Sequence, residues 1–190
     1  YAKLSLVSPT NHCVYSRIVY ADVPEMPQIK NVLTSDSLCR IYFDSPLSPE
    51  TKKVIQLPNG KSIKTVASWI DIPKDGLKGN TSALIYAENH VGKSKPVLCD
   101  LKFSGLSLPP VIRKLIPVND GMVIGYSVQS KDSRYKIQYR LLAEKNRVYE
   151  VMTELKGSTK IYMECPTKYE FRISEERNGA ESQWSPWETY

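Results

Sequence analysis

The sequence predicts an all-β protein built from β-sandwiches. Three observations predict it: short segments in which apolar and polar residues alternate, turn sequences rich in glycine, proline and asparagine between them, and almost nothing with the apolar period of a helix. The chain has 190 residues, of which 41% are hydrophobic and 24% charged, so it is large enough for one or two domains with their own cores. Strands of this length and spacing indicate sandwiches that bury one face of each strand.

Composition narrows the classes of partner. No apolar run approaches the roughly 20 residues that cross a bilayer, so we expect no direct membrane contact by this part of the chain. The net charge is +6, but lysine and arginine are scattered among aspartate and glutamate, so we expect no nucleic-acid partner. The sequence starts at Tyr1 without a basic, apolar signal segment, and we expect such a segment to have been removed or to lie outside this sequence.

The first elements are two strands, "AKLSLVS" and "VYSRIVY", followed by the proline-rich hinge "VPEMP". Two strands are too few for a sandwich. We therefore expect residues 1–22 to be the last strands of a preceding domain.

Residues 23–105 contain the next set of predicted strands. These are "LCRIYF", "TVASWIDI", "SALIYAE" and "VLCDL", and they are separated by the turn sequences "LPNG", "PKDG" and "NHVG". The set ends at "SGLSLPP", residues 104–110, where adjacent prolines stiffen an extended connection that cannot join a sheet interior. This is the predicted boundary between two complete domains.

Residues 106–190 form the second predicted domain, and its strands alternate clearly. The predicted inward faces are Met122, Ile124, Tyr126 and Val128 in "MVIGYSV"; Tyr135, Ile137 and Tyr139 in "YKIQY"; and Tyr169, Phe171 and Ile173 in "YEFRIS". The polar residues between them, Gln138, Arg140 and Arg172 among them, are predicted to face outward.

The chain ends in "QWSPWETY", which carries two of its three tryptophans. In a regular strand Trp184 and Trp187 would face opposite ways, but Pro186 favours a polyproline-like conformation with three residues per turn, which puts both rings on one side. The neighbouring strands offer Arg172, Arg140, Gln138 and Lys136 on that side. We therefore predict guanidinium groups stacked between the indole rings.

The stretch "TKYEFRISEERNGAESQWSPWETY" resembles the end of the membrane-proximal fibronectin type III domain of class I cytokine receptors, which carries the WSxWS motif. Trp184, Ser185 and Trp187 match that motif, whereas Glu188 replaces its final serine. "KIQYR", "IYAENHVGKS" and "CVYSRIVYADVPEMP" are similar, in chain order, to segments of the tall, interleukin-6-type receptors, so the resemblance covers nearly the whole chain. Ser174 stands where the family has a second arginine, which predicts a shorter ladder. Departures of this kind fit a divergent member of the family, for example an invertebrate one.

The resemblance implies tandem fibronectin type III-like sandwiches that form a cytokine-binding module, preceded by the tail of an immunoglobulin-like domain. It also implies the extracellular part of a single-pass plasma-membrane receptor. Such a receptor captures a secreted four-helix-bundle cytokine at the elbow between the two complete domains and signals through JAK–STAT by homodimer or co-receptor pairing. No cofactor is implied.

The resemblance also implies residue roles. The structural motif is Trp184, Ser185, Trp187, Arg172, Arg140 and Gln138. Cytokine contact falls on three loops, at residues 75–80, 129–134 and 177–183, with Leu77 and Tyr135 as apolar anchors. Lys131, Arg134 and Arg177 would steer an acidic partner, and Lys78 is a further predicted contact.

The remaining motifs point away from catalysis and metal binding. "GKS" at residues 92–94 lacks the upstream glycine of a phosphate loop, and two histidines offer no evident nucleophile and base pair, so we expect no enzyme. The cysteines are Cys13, Cys39, Cys99 and Cys165, whose spacing suits no zinc site and allows three complete disulfide pairings. Asn80 begins a glycosylation sequon, which fits secretion.

Two other functions fit the same sandwich pattern. One is an adhesion or matrix protein with tandem fibronectin type III domains, which only the terminal tryptophan motif and its order relative to the hinges distinguish from a receptor. The other is a soluble decoy that binds cytokine without signalling.

Overall fold

The computed structural model describes residues 2–7, 14–19, 22–44, 51–77, 81–103, 105, 107–128, 132–154 and 157–190. Their strands, in chain order, are β1 Ala2–Val7, β2 Val14–Val19, β3 Ile29–Thr34, β4 Leu38–Phe43, β5 Lys52–Gln56, β6 Ser62–Thr65, β7 Trp69–Pro73, β8 Thr81–Glu88, β9 Val97–Leu101, β10 Ile112–Val118, β11 Gly121–Tyr126, β12 Arg134–Leu141, β13 Tyr149–Thr153, β14 Ser158–Tyr162, β15 Tyr169–Arg177, β16 Ala180–Glu181 and β17 Glu188–Thr189. One 3-10 turn, Pro166–Lys168, precedes β15. The all-β prediction is confirmed.

The strands form five sheets. β1 and β2 pair as an antiparallel hairpin, whose assignment to an immunoglobulin-like domain stays a prediction. A three-stranded sheet β3-β4-β7 and a four-stranded sheet β6-β5-β8-β9 follow, and then a three-stranded sheet β10-β11-β14 and a five-stranded sheet in which β17 joins the order β13-β12-β15-β16. A three-stranded sheet and a larger one, repeated in sequence, are the strands of tandem fibronectin type III sandwiches.

The chain separates into two compact units. One contains residues 1–30, 42–70 and 76–101, and the other contains residues 31–41, 71–75 and 102–190. Each unit is described by itself. The domain boundaries predicted from the sequence, at residues 22 and 105, stay predictions.

The second unit has a core that follows the predicted alternation. Its buried members are Met122, Ile124, Tyr126, Tyr135, Ile137, Ile161, Phe171 and Ile173, and Tyr139 and Tyr169 pack against them. The rings of Tyr126 and Tyr135 lie 4.8 Å apart. Val128 was predicted to face inward but is 44% exposed, because β11 ends at Tyr126 and the chain leaves the sheet there.

The stretch "TVASWIDI" is not one strand, because β6 ends at Thr65 and β7 begins at Trp69. A buried lysine donates hydrogen bonds to the backbone at this break, which the sequence pattern did not predict. Lys53, on β5, is only 1% exposed, and its Nζ donates to the carbonyl oxygen of Ala67 at 2.9 Å. Burial lowers the pKa of this lysine, and the break at residues 66–68 supplies the carbonyl oxygens that its ammonium group needs.

The described cysteines are Cys39 and Cys99, which are buried, and Cys165, which is exposed; the structure has no disulfide among them. None of the pairings among these three cysteines that the sequence allows is formed, and Cys13 lies outside the described residues. Burial, with the nearby Asp100 charge as a smaller cause, raises the pKa of the Cys99 thiol to about 11.

We expect Cys99 to make the fold sensitive to alkaline pH. Because its folded pKa lies above the unfolded value, its contribution to stability is complete below about pH 9 and is lost as the pH rises towards 11. The loss should be roughly 1 to 2 kcal/mol. Urea denaturation at pH 8, 9.5 and 11 should show a shallower decline for Cys99→Ala than for the parent chain, with the exposed Cys165→Ala as control. Equal declines in all three proteins would contradict this assignment.

Candidate functional site

The last residues of the chain lie beside β15, and serine hydroxyls replace part of the usual strand pairing. We call residues 182–187 the terminal segment. Ser182 N–H donates to the carbonyl oxygen of Glu175 at 2.8 Å, and Glu175 N–H donates to Ser182 Oγ at 2.9 Å. The same exchange recurs three residues later, where Ser185 N–H donates to Ile173 O at 2.9 Å and Ile173 N–H donates to Ser185 Oγ at 3.0 Å.

This repeat sets a period of three residues in the terminal segment. Ser182 and Ser185 both face β15 and are buried. The other residues of the terminal segment therefore lie on sides of the segment that do not face β15. Trp184 and Trp187, also three apart, thus share one side, as a polyproline-like segment requires. Ser182 was not singled out from the sequence, although its spacing from Ser185 equals the spacing of the tryptophans.

Two tryptophans and two arginines form a stack on that side, which we call the ladder. The guanidinium carbon of Arg172 lies 4.9 Å from the ring centroid of Trp184 and 4.5 Å from that of Trp187. The guanidinium carbon of Arg140 lies 4.0 Å from the Trp187 ring. The order along the ladder is therefore Trp184, Arg172, Trp187, Arg140, and both strands β12 and β15 contribute to it.

Hydrogen bonds fix the plane of each guanidinium group. Arg172 donates from Nε and Nη2 to Gln138 Oε1, at 2.8 and 2.6 Å, and Gln138 Nε2 donates to Glu150 at 2.8 Å. Arg140 Nε donates to Glu170 Oε1 at 2.6 Å. Burial, and secondarily the charge of Arg140, lowers the pKa of Arg172. These bonds hold the guanidinium planes in place against the rings.

The ladder ends at Ser174, two residues after Arg172 on β15. Ser174 Oγ donates to Glu181 Oε1 at 3.1 Å, and Lys136 Nζ lies 3.2 Å from carboxylate oxygens of both Glu176 and Glu181. The hydrogen bond to Glu181, followed by that to Glu176, raises the pKa of Lys136. An ion-pair cluster therefore occupies the next position on this face.

Two of the predicted cytokine contacts, Arg177 and Arg134, are exposed. Arg177 is exposed at the turn between β15 and β16, where Asn178 has φ 51° and Gly179 has φ 76°. Two successive residues with positive φ are typical of a tight hairpin turn, so Arg177 is held on a short, defined loop. Arg134 is exposed at the start of β12 and lies 3.1 Å from Glu154.

The two apolar anchors are not available on the surface. Leu77 is 7% exposed and Tyr135 is not exposed at all. Tyr135 faces inward because it shares the alternation of Ile137 in β12, and its ring packs on that of Tyr126. Their selection as exposed anchors needs this correction. Lys78, Asn80 and Lys131 lie outside the described residues.

The described residues include no group of three or more histidine, cysteine or acidic side chains that could hold a metal ion. In the same part of the chain, no helix is long and apolar enough to cross a membrane.

Comparisons with known proteins give a limited result. No family model and no curated protein matches the chain. A two-domain fibronectin type III segment of chicken tenascin aligns with 89% of this chain and all of its own, at 16% identity and a TM-score of 0.38. The FN1–FN3 domains of chicken CNTN1 align over 99% of this chain and 76% of theirs, at 11% identity and a TM-score of 0.36. These likenesses carry no argument about function.

Proposed function

We propose that this chain is the extracellular cytokine-binding portion of a class I cytokine receptor. In this proposal it captures a secreted four-helix-bundle cytokine and signals by pairing with a second receptor chain, identical or different, through JAK–STAT. Asn80 carries a glycan, and the receptor is anchored by a membrane span elsewhere in its chain.

The observation that supports the proposal is the ladder. Trp184, Arg172, Trp187 and Arg140 alternate in space, and Ser185, the serine of the WSxWS-like motif, hydrogen-bonds β15 through both its N–H and its hydroxyl. An adhesion sandwich needs no such stack to fold. The motif residues are engaged with one another, so in this proposal they support the fold and the loops make contact with the cytokine.

Arg134 and Arg177 are the described loop residues that fit contact with an acidic cytokine. Both guanidinium groups are accessible, and charges at the rim of an interface mainly accelerate association. Since Leu77 and Tyr135 are buried, the apolar part of the contact must come from other residues.

The test is calorimetric titration of the chain with a panel of secreted four-helix cytokines at moderate salt. We expect one member of the panel to bind saturably. The double variant Arg134→Ala and Arg177→Ala should bind it about three- to tenfold more weakly at low salt, and the difference should be smaller at high salt. The exposed Lys168→Ala is the control and should leave affinity unchanged. Absence of binding across the panel by folded protein would count against the receptor proposal and favour the adhesion or matrix alternative.

A further inference from the structure

A polar pocket opens beside the turn that joins β15 to β16. Its volume is about 250 Å³, and the residues that line it all belong to the second unit: Ser107, Glu175, Arg177, Asn178, Ala180 and Ser182. Sites for drug-sized molecules start at roughly 300 Å³. The pocket therefore has the size to take a single side chain of a partner.

A buried carboxylate forms one wall of this pocket. Glu175 is only 6% exposed, because it follows Phe171 and Ile173 on the inward side of β15. Its backbone N–H and carbonyl are both bonded to Ser182, at 2.9 and 2.8 Å. The position of Glu175 is therefore fixed by the sheet on one side and by the terminal segment on the other.

The hydrogen-bonding capacity of this carboxylate is mostly unused. An ionised carboxylate can accept about four hydrogen bonds. Among the described contacts of Glu175, the donor to its carboxylate is the hydroxyl of Ser133, which is itself buried. Arg177 lines the same pocket, but the described contacts of these two residues include no ion pair between them. Because buried charges are ordinarily paired with an opposite charge, Glu175 offers a partner for a cation that enters the pocket.

Arg177 determines which kind of cation fits. It lies two residues after Glu175 on the same side of β15, about 7 Å along the strand, and its side chain is exposed. A lone cation at Glu175 would meet this positive charge without compensation. A ligand that pairs a basic group with an acidic one neutralises both residues. On a helix, two side chains four residues apart lie on one face and about 6 Å apart along the axis, which matches the spacing of the two charges.

We propose that this pocket receives a basic side chain of the cytokine, which pairs with Glu175, while an acidic side chain one turn away on the same cytokine helix pairs with Arg177. The inference rests on the proposed function, which makes the partner helical. It adds a buried contact for a basic group to the contacts that Arg134 and Arg177 offer to acidic ones. Glu175 was not singled out from the sequence as a binding residue.

The first test uses alanine-rich helical peptides that carry one basic residue, lysine or arginine, and one glutamate. In the test peptides the two residues are four positions apart; in matched peptides of identical composition they are two positions apart and face different sides. Titration into the isotope-labelled chain should shift the amide NMR signals of Glu175, Arg177 and Ser182. The four-residue spacing should bind about three- to tenfold more tightly, since only it satisfies both charges at once.

Two variants test the pocket in different ways. Glu175→Gln removes the charge but keeps an oxygen for the Ser133 hydroxyl, and Ala180→Phe fills the pocket from an exposed position while both charges remain. Each variant should lose the preference for the four-residue spacing. Glu164→Gln, at an exposed acid outside the pocket, is the matched control and should keep it. Thermal unfolding of each variant shows that it folds.

The proposal is overturned if the two spacings bind equally, if no peptide shifts these amides at millimolar concentration, or if folded Ala180→Phe binds like the parent chain. It is also overturned, with the proposed function intact, if a cytokine of the panel binds and Glu175→Gln leaves its affinity unchanged. A spacing preference that both variants abolish, without binding of any cytokine, would support the assigned chemistry of the pocket and count against the proposed function.

Discussion

Replacing Trp187 with alanine is expected to lower the free energy of unfolding by about 3 kcal/mol, more than the same change at Trp184. Trp187 contacts two guanidinium groups, those of Arg140 at 4.0 Å and Arg172 at 4.5 Å, whereas among the described residues Trp184 has the guanidinium contact with Arg172, at 4.9 Å. Each contact is worth about 0.5 to 2 kcal/mol, and the half-buried ring adds the cost of its lost burial. For Trp184→Ala we expect about 2 kcal/mol, because its ring is also half-buried but has one guanidinium contact fewer.

Urea denaturation of the purified variants measures this difference, with the exposed Tyr190→Ala as a control that should change stability little. A double-mutant cycle of Arg140→Ala and Trp187→Ala should return a coupling energy of about 1 to 2 kcal/mol. Under the proposed function, folded Trp184→Ala and Trp187→Ala should keep their cytokine affinity. Equal losses of stability at the two tryptophans, or no coupling to Arg140, would contradict the ladder order.

Replacing Arg40 with methionine is expected to cost about 3 kcal/mol of stability. The Arg40 side chain is buried, donates from Nε and Nη2 to the two oxygens of Asp71 at 2.6 and 2.8 Å, and donates from Nη1 to the carbonyl oxygen of Pro109 at 2.7 Å. Its removal leaves the Asp71 carboxylate and a buried carbonyl without these donors. Loss of one member of a buried pair typically costs about 3 to 5 kcal/mol, and we take the lower end because Asp71 is partly exposed.

The free energy of unfolding of the double variant, Arg40→Met with Asp71→Ala, gives a sharper test. It should recover part of the loss, because the unpaired carboxylate is removed as well. Arg113→Met, at an exposed arginine, should remain within about 0.5 kcal/mol of the parent. If Arg40→Met cost less than 1 kcal/mol, or if the double variant were the sum of its parts, the buried pair would not have the role assigned to it.

Patterns of neighbouring residues in the sequence predicted the features of the fold that neighbouring residues determine. Alternation placed Ile137 and Phe171 in the core, and a proline between two tryptophans predicted rings on one side of the terminal segment. The guanidinium partners could be named because β12 and β15 were predicted to be neighbours with outward arginines.

These patterns failed where the decisive contact lies far away in the sequence. Arg40 sits in the apolar stretch "LCRIYF", and its partner Asp71 is 31 residues away, so nothing nearby indicates a buried cation. The burial of Lys53 was missed for a similar reason. The carbonyl oxygens that accept its hydrogen bonds are those of residues 66 and 67, just after the end of β6. Tyr135 was selected as an apolar anchor because a contact site needs apolar bulk, although the alternation with Ile137 already required it to face inward.

The paired bonds of Ser182 and Ser185 have a mechanical consequence. Stretching the second unit between Ser107, which accepts from Gln183 N–H, and Tyr190 would pull the terminal segment along β15 and load its hydrogen bonds in shear, all at once. Sliding of the terminal segment along β15 would also move each indole ring past a guanidinium group. The time for which the chain end withstands tension should therefore be governed by an unfolding rate and not by equilibrium stability.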